Sequence, residues 1–149
     1  MLPSIVGVTG TVKGATTRQF MVLREITESF CFSEFHHGDA IGVDAQSHAI
    51  ALRLKNARAA SAAPLRIVIH PPIRDAKRAF CEGADEVREM KEYLDRDQDI
   101  ASEVSVLLAV PETAEEQIRS GTWSTVRYAR KRAGVLIIRI NPDGTVRFG

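Results

Sequence analysis

Glu34-Phe35-His36-His37-Gly38-Asp39-Ala40-Ile41-Gly42-Val43-Asp44 is the stretch on which the fold turns. Glu34 to His37 reads as a short strand that ends at Gly38-Asp39. Two glycines, Gly38 and Gly42, then bracket a turn. From Val43 to Asn56 the pattern is helical, with Ala45, Ala49, Leu52 and Ile50 at inward spacing. Strand, glycine turn and helix follow one another without a break, which is the opening of a repeating strand–helix pattern.

The same alternation continues on both sides. Upstream, Ser4 to Thr9 (SIVGVT) is a short β-branched run closed by Gly10, the pattern of a strand buried on both faces. Thr16-Thr17 then caps a helix that runs through Phe30, with Phe20, Leu23 and Ile26 inward and Arg24 and Glu28 between them. Downstream, Arg58 to Pro64 is a loop. Leu65 to Ile69 (LRIVI) is a buried strand stopped by Pro71-Pro72. Asp75 to Asp95 is charged, contains Gly83 and reads as partly helical after an irregular stretch. Val104 to Val110 (VSVLLAV) and Val135 to Ile140 (VLIIRI) are apolar strands, with a helix over Ser124 to Arg132 between them. Asn141-Pro142-Asp143-Gly144 is a turn before a short last strand or tail. The expected fold is α/β: a Rossmann-like three-layer α/β/α arrangement with a mostly parallel sheet of about five strands, in one domain over residues 1–149.

Composition narrows the function. Of 149 residues, 44% are hydrophobic and 26% charged, which is ordinary globular usage. The formal net charge of +1 gives no electrostatic reason to expect nucleic acid or an anionic membrane as partner. Met1-Leu2-Pro3-Ser4 lacks the basic start of a secretory signal, and no apolar run is long enough for a bilayer span. Cys31 and Cys81 form no close-spaced motif, so free thiols and a cytoplasmic location are expected. His36, His37 and His48 show no ligand spacing, so neither a metal nor a cofactor is expected.

In open α/β sheets, ligands sit beyond the carboxyl ends of the strands. Those positions here are Thr9-Gly10-Thr11, Gly38 to Asp44, His70-Pro71-Pro72, Pro111-Glu112, and the helix entry Arg119-Ser120-Gly121-Thr122-Trp123. The Gly38–Asp44 turn lets a backbone approach a ligand, and the helix behind it offers free N–H groups. Asp44 either takes a ribose hydroxyl or caps its helix. Ser120-Gly121-Thr122 has the make-up of a phosphate cradle, or of a helix start capped by Thr122 or Ser124. Arg119 and Arg127 could neutralise an anion. Trp123 stacks on a base or fills the core. Arg96 contacts a ligand or forms a salt bridge. The ligand-binding candidates are thus Thr9, Gly10, Thr11, Gly38, Asp39, Gly42, Asp44, His70, Arg119, Ser120, Gly121, Thr122 and Arg127, with Asp44, Asp39 and His70 as catalytic candidates. Gly7, Gly10 and Gly14 lack the dinucleotide spacing, and there is neither a Walker A lysine motif nor a G-x-S-x-G elbow.

At these loops the chain resembles the SLOG superfamily, and within it the small, stand-alone YpsA-like members. The carrying stretches are Gly38 to Asp44, His70-Pro71-Pro72 and Arg119 to Ala129. The resemblance implies a nucleotide or nucleotide-derived ligand over Gly10, Gly38, Asp44, Gly121 and Thr122, and a possible homodimer. The LOG branch cleaves the N-glycosidic bond of nucleoside monophosphates through the motif P-G-G-x-G-T-x-x-E. Gly121-Thr122 match its G-T, but Gln117, Ile118 and Arg119 stand at P-G-G and Thr125 stands at the glutamate. Losing that carboxylate removes the group that would stabilise a cationic centre or work on water. The leading expectation is therefore a binding or sensor domain. A LOG-type phosphoribohydrolase that uses Asp44, Asp39 or His70 is the alternative. A DprA-like single-stranded DNA binder is the second alternative, with little support from the charge.

Overall fold

The structure is a computed structural model that describes residues 4–149. Three residues of the N-terminal reading, Met1-Leu2-Pro3, lie outside the described residues. Among the described residues, seven strands form one sheet. They are β1 (Ser4–Gly10), β2 (Phe32–His37), β3 (Arg66–Ile69), β4 (Glu86–Val87), β5 (Val106–Val110), β6 (Leu136–Ile140) and β7 (Val146–Phe148), in the order β4-β3-β2-β1-β5-β6-β7. Every pairing is parallel except the hairpin of β6 with β7. The count is seven rather than the five read from the sequence. The strands beyond those five are the two edges: β4, two residues inside a charged stretch, and β7, three residues that settle the short last strand or tail behind the Asn141–Gly144 turn as a strand. Neither is long enough to show a periodicity.

Four helices cover the sheet: α1 (Thr17–Ser29), α2 (Val43–Ala57), α3 (Tyr93–Glu103) and α4 (Gly121–Arg130). α1 packs with α2, and α3 packs with α4. The strands serve both layers. Val106, Leu108 and Val110 of β5 join the core that contains Leu23, Val43 and Ile50, whereas Leu107 and Ala109 join Ile100, Trp123 and Val126. A side-chain period of two thus divides one apolar run between two cores, which is why β5 shows no polar alternation. This is the three-layer α/β fold expected from the sequence. Among the described residues, no helix is long and apolar enough to cross a membrane.

Local chemistry explains where the helices begin. Thr16 caps α1: its hydroxyl accepts from the Gln19 N–H at 3.1 Å, and the Gln19 Oε1 accepts from the Thr16 N–H at 2.9 Å. Gln19 also donates to the carbonyls of Pro111 (2.8 Å) and Ile140 (3.0 Å), which ties α1 to the ends of β5 and β6. The inward face of α2 departs from the sequence reading. Ser47, His48, Ile50 and Ala51 are buried, Ala45 and Leu52 are half-buried, and Ala49 is exposed. Two polar residues in the buried stripe concealed its phase. The Asp75–Asp95 stretch is irregular apart from β4, and its helix starts only at Tyr93. The inward residues of α3 are Arg96, Asp97, Ile100 and Ala101, so the stripe opens on an ion pair rather than on apolar residues.

Candidate functional site

The strand order reverses at β1, whose neighbours are β2 on one side and β5 on the other. Loops leaving the carboxyl ends of these strands diverge there and leave a crevice. A cleft of ≈ 870 Å³ occupies that place. It is walled by the end of β1, the Gly38–Asp44 turn, the first turns of α3 and the 117–122 entry to α4.

Ten of the thirteen ligand-binding candidates line this cleft: Thr9, Gly10, Thr11, Gly38, Asp44, Arg119, Ser120, Gly121, Thr122 and Arg127. Asp39, Gly42 and His70 do not. Asp39 has φ 59 and is fully buried. Its carboxylate accepts from Arg78 Nε at 2.8 Å and from the Cys81 N–H at 2.9 Å, and its carbonyl accepts from the Ala79 N–H at 2.7 Å. Burial pushes this carboxyl up, but Arg78 and Cys81 outweigh it and hold the group below its ordinary range. Asp39 is the clamp of the 77–81 loop. The neighbouring Cys81 thiol is pushed up to about 12 by burial and by Asp39, so it stays protonated. Gly42 is the N-cap of α2 at φ 86, where a Cβ would stand 2.5 Å from the Thr11 carbonyl oxygen. His70 is buried at the end of β3, beside His36 at 2.8 Å.

Asp44 does not cap α2. Its Oδ2 reaches back to accept from the N–H groups of Gly38 (3.2 Å) and Ala40 (3.1 Å). The amides that would make this turn an anion cradle are thus taken by the chain's own carboxylate. Burial pushes Asp44 up to about 6, against the pull of Arg96. Arg96 is the side chain that knits the floor. It donates to the Gly38 carbonyl at 2.6 Å, pairs with Asp97 at 3.0 Å and lies over the Tyr93 ring at 5.4 Å. It is thus the ion-pair partner that was one of the two expectations held for it, and it lines the cleft. A Cβ on Gly38 would overlap the Arg96 guanidinium, so glycine is needed there for close approach.

The entry to α4 is organised differently. Ser120 is the N-cap and accepts from the Trp123 N–H at 3.3 Å, in place of the expected Thr122 or Ser124. Among the described residues, the Gly121 and Thr122 amides have no acceptor. They carry the positive end of the α4 dipole into the cleft. Trp123 is buried in the core and is closed to stacking. Arg127 is occupied with Glu116 at 3.2 Å and the carbonyls of Gln117 and Ile118, so it braces the loop. Arg119 is exposed and makes no ion pair among the described residues.

Asp97 is the residue that the sequence reading left out. It is buried, its Oδ2 has no hydrogen-bond partner, and that oxygen lies 3.7 Å from where a Cβ of Gly121 would stand. Burial pushes it up to about 6, against Arg96. Its only signal in the sequence was its place in Tyr93-Leu94-Asp95-Arg96-Asp97, one residue beyond the arginine singled out there.

No protein-family model matches the chain, and no curated protein matches it. Among solved structures, the chain is similar to the X-ray structure of TM1055, a structural-genomics target. The likeness has 15% identity, a TM-score of 0.51, and covers 85% of this chain and 68% of that one. At that identity the likeness concerns the fold alone.

Proposed function

We propose that this chain binds a nucleotide or nucleotide-derived ligand in the switch-point cleft, as a SLOG-type binding or sensor domain. One observation carries the reading: Gly121 and Thr122, whose amides have no acceptor among the described residues, line the crevice where the strand order reverses. A phosphate fits that helix N-terminus, with Arg119 to neutralise it. The Gly38–Asp44 turn, its amides already filled, approaches the ligand through Gly38 and the free Asp44 oxygen, which suits a ribose hydroxyl. Val12, Tyr93 and Leu94 supply apolar wall for a base. Pairing of two copies through their outer helices belongs to the same reading, and sedimentation measures it.

The test is thermal shift against AMP, ADP-ribose, NAD, cyclic mono- and dinucleotides and nucleoside phosphates. A ligand at about 100 times its Kd adds roughly 2.7 kcal/mol of stability. A shift with one class that Gly121→Val removes supports the site. No shift with any of them sinks the reading.

Asp97 favours a second reading, hydrolysis of an N-glycosidic bond. Position 125 carries threonine, whose hydroxyl donates to the Gly121 carbonyl at 3.0 Å. Asp97 brings a carboxylate from α3 to the same helix start, with a buried oxygen that has no hydrogen-bond partner among the described residues and that would serve a cationic sugar centre or a water once the helix start yields to a ligand. Release of free base from nucleoside monophosphates, lost in Asp97→Asn while binding persists, would support it. No base release by the wild-type chain would leave the binder.

A further inference from the structure

His36 and His37 are neighbours on β2, so their side chains leave on opposite faces of the sheet. Each meets a second histidine, and the two clusters differ in what their atoms have left to offer.

On the α2 face, the hydrogen bonds have a fixed direction. The Asp39 N–H donates to His37 Nδ1 at 2.9 Å, so neutral His37 carries its proton on Nε2. That proton goes to His48 Nδ1 at 2.9 Å, and His48 Nε2 donates to the Glu82 carbonyl at 2.6 Å. All four ring nitrogens are spent. A metal held by His37, His48 and Cys81 would have to break this chain, although the three come close enough to hold one.

On the α3 face a carboxylate oxygen is left over, and a single hydrogen bond, from His70 Nε2 to His36 Nδ1, would have to give way to an ion. Glu34 Oε1 lies 2.8 Å from His36 Nε2, which fixes the His36 proton there and turns the Nδ1 lone pair inward. Nδ1 faces His70 Nε2 at 2.8 Å, and Glu103 Oε2 lies 3.4 Å from that same nitrogen. Glu103 Oε2 is buried without a hydrogen-bond partner, while its twin Oε1 accepts from Arg88 at 2.8 Å. The donor atoms of His36, His70 and Glu103 all lie within 4.8 Å of one another.

We propose that His36 Nδ1, His70 Nε2 and Glu103 Oε2 bind a divalent transition-metal ion of the zinc type. Two imidazoles and a carboxylate are a three-ligand zinc set that leaves a fourth position for water. Glu34 behind His36 is the carboxylate that orients a metal-bound imidazole. Nitrogens on a tetrahedral ion with Zn–N bonds of about 2.05 Å stand about 3.3 Å apart, so the rings part by about half an ångström. His70 then carries its proton on Nδ1 and remains neutral. The histidine side chains are 2% and 3% exposed, and those of Glu34 and Glu103 are 31% and 32% exposed, so an ion enters from the carboxylate edge. The ion would tie β2 and the end of β3 to the last residue of α3, the helix that carries Arg96 and Asp97.

The experiment takes the whole chain, stripped with a chelator and titrated with Zn²⁺ against a chromophoric competitor, and with Co²⁺ by visible absorption. One tightly bound equivalent and the ligand-field bands of four-coordinate Co²⁺ are expected. His70→Ala and Glu103→Gln should each weaken Zn²⁺ binding by more than about 100-fold, and Glu34→Gln by about 10- to 100-fold. Glu103→Gln leaves both histidines in place and serves if His70→Ala does not fold, which circular dichroism reports. His48→Ala should leave binding unchanged. Absence of stoichiometric Zn²⁺ in the wild-type chain, binding indifferent to Glu103→Gln, or binding lost with His48→Ala would each overturn the proposal.

Discussion

Asp44 and Asp97 stand in one cleft with Arg96 between them, and burial pushes both carboxyls up to about 6. An anion seated on the Gly121 and Thr122 amides would raise Asp97 further, so the bound state holds more protons than the free one. Affinity for a nucleoside monophosphate should therefore improve as pH falls from 8 towards 6, by up to about tenfold per unit. Asp97→Asn should flatten that profile in calorimetric titrations; an unchanged slope in the variant would remove Asp97 from the site. For Asp44 the charge itself is the cost. An asparagine oxygen can still accept from Gly38 and Ala40, so Asp44→Asn should gain on the order of 1–3 kcal/mol at pH 7. The sign follows from a raised carboxyl pKa: its contribution to stability is present below 3.8 and is lost as pH rises through about 6. Urea midpoints at pH 7 and at pH 3.5 check it, with the gain confined to the higher pH.

At the scale of elements, the turn between β2 and α2 is held by geometry that one methyl group disturbs. Gly42 combines φ 86 with a Cβ position 2.5 Å from the Thr11 carbonyl oxygen, so both backbone strain and a clash oppose a side chain. Gly42→Ala should cost about 2 kcal/mol or more. Ser120→Ala at the α4 N-cap, where only one hydrogen bond is lost, should cost about 1 kcal/mol. Denaturant unfolding of the two variants ranks them; an equal cost would mean that the turn relaxes. The same elements mark how far the sequence was legible. β1, β3, β5 and β6 declared themselves as apolar runs, and α1 through its Thr16 cap. α3 did not, because its buried stripe starts with Arg96-Asp97 and those residues satisfy each other only once the chain is folded. In α2, buried Ser47 and His48 shifted the inward face in the same way.

Across the whole molecule, two opposite sets of buried groups set the response to acid. His37 and His70 are lowered to about 3, by burial first and then by His48 and His36 respectively. Their contribution to stability is full above 6.5 and is lost as pH falls towards 3. Asp44 and Asp97 run the other way, gaining as pH falls from about 6 to 3.8. Between pH 4 and 6 the native state binds two protons fewer at the histidines and two more at the aspartates, so these four groups cancel. In chelator-treated protein, these four groups should leave stability nearly level between about pH 5 and 6, above the range in which the lowered carboxyls of Asp39, Asp85, Glu86, Glu116 and Asp143 lose their contribution. The double variant Asp44→Asn, Asp97→Asn should instead lose on the order of 2–3 kcal/mol per pH unit on acidification. Guanidinium unfolding at half-unit steps measures both slopes, and parallel curves would refute the compensation.

The sequence by itself determined the layered α/β fold and the strand-end loops that supply part of the cleft's lining. Apolar runs, caps and glycine turns are local signals, and ligand loops in such sheets follow the strand ends. Only the tertiary structure decided which polar side chains meet. It set Asp97 beside Gly121, filled the Gly38 and Ala40 amides with Asp44, and turned Asp39 into a loop clamp. It also joined His36 to His70 and Glu103 from three elements. Apart from the Asp44 contacts, which reach back only six and four residues, these pairings span tens of residues and depend on strand order and on which face each residue leaves. No spacing along the chain encodes them.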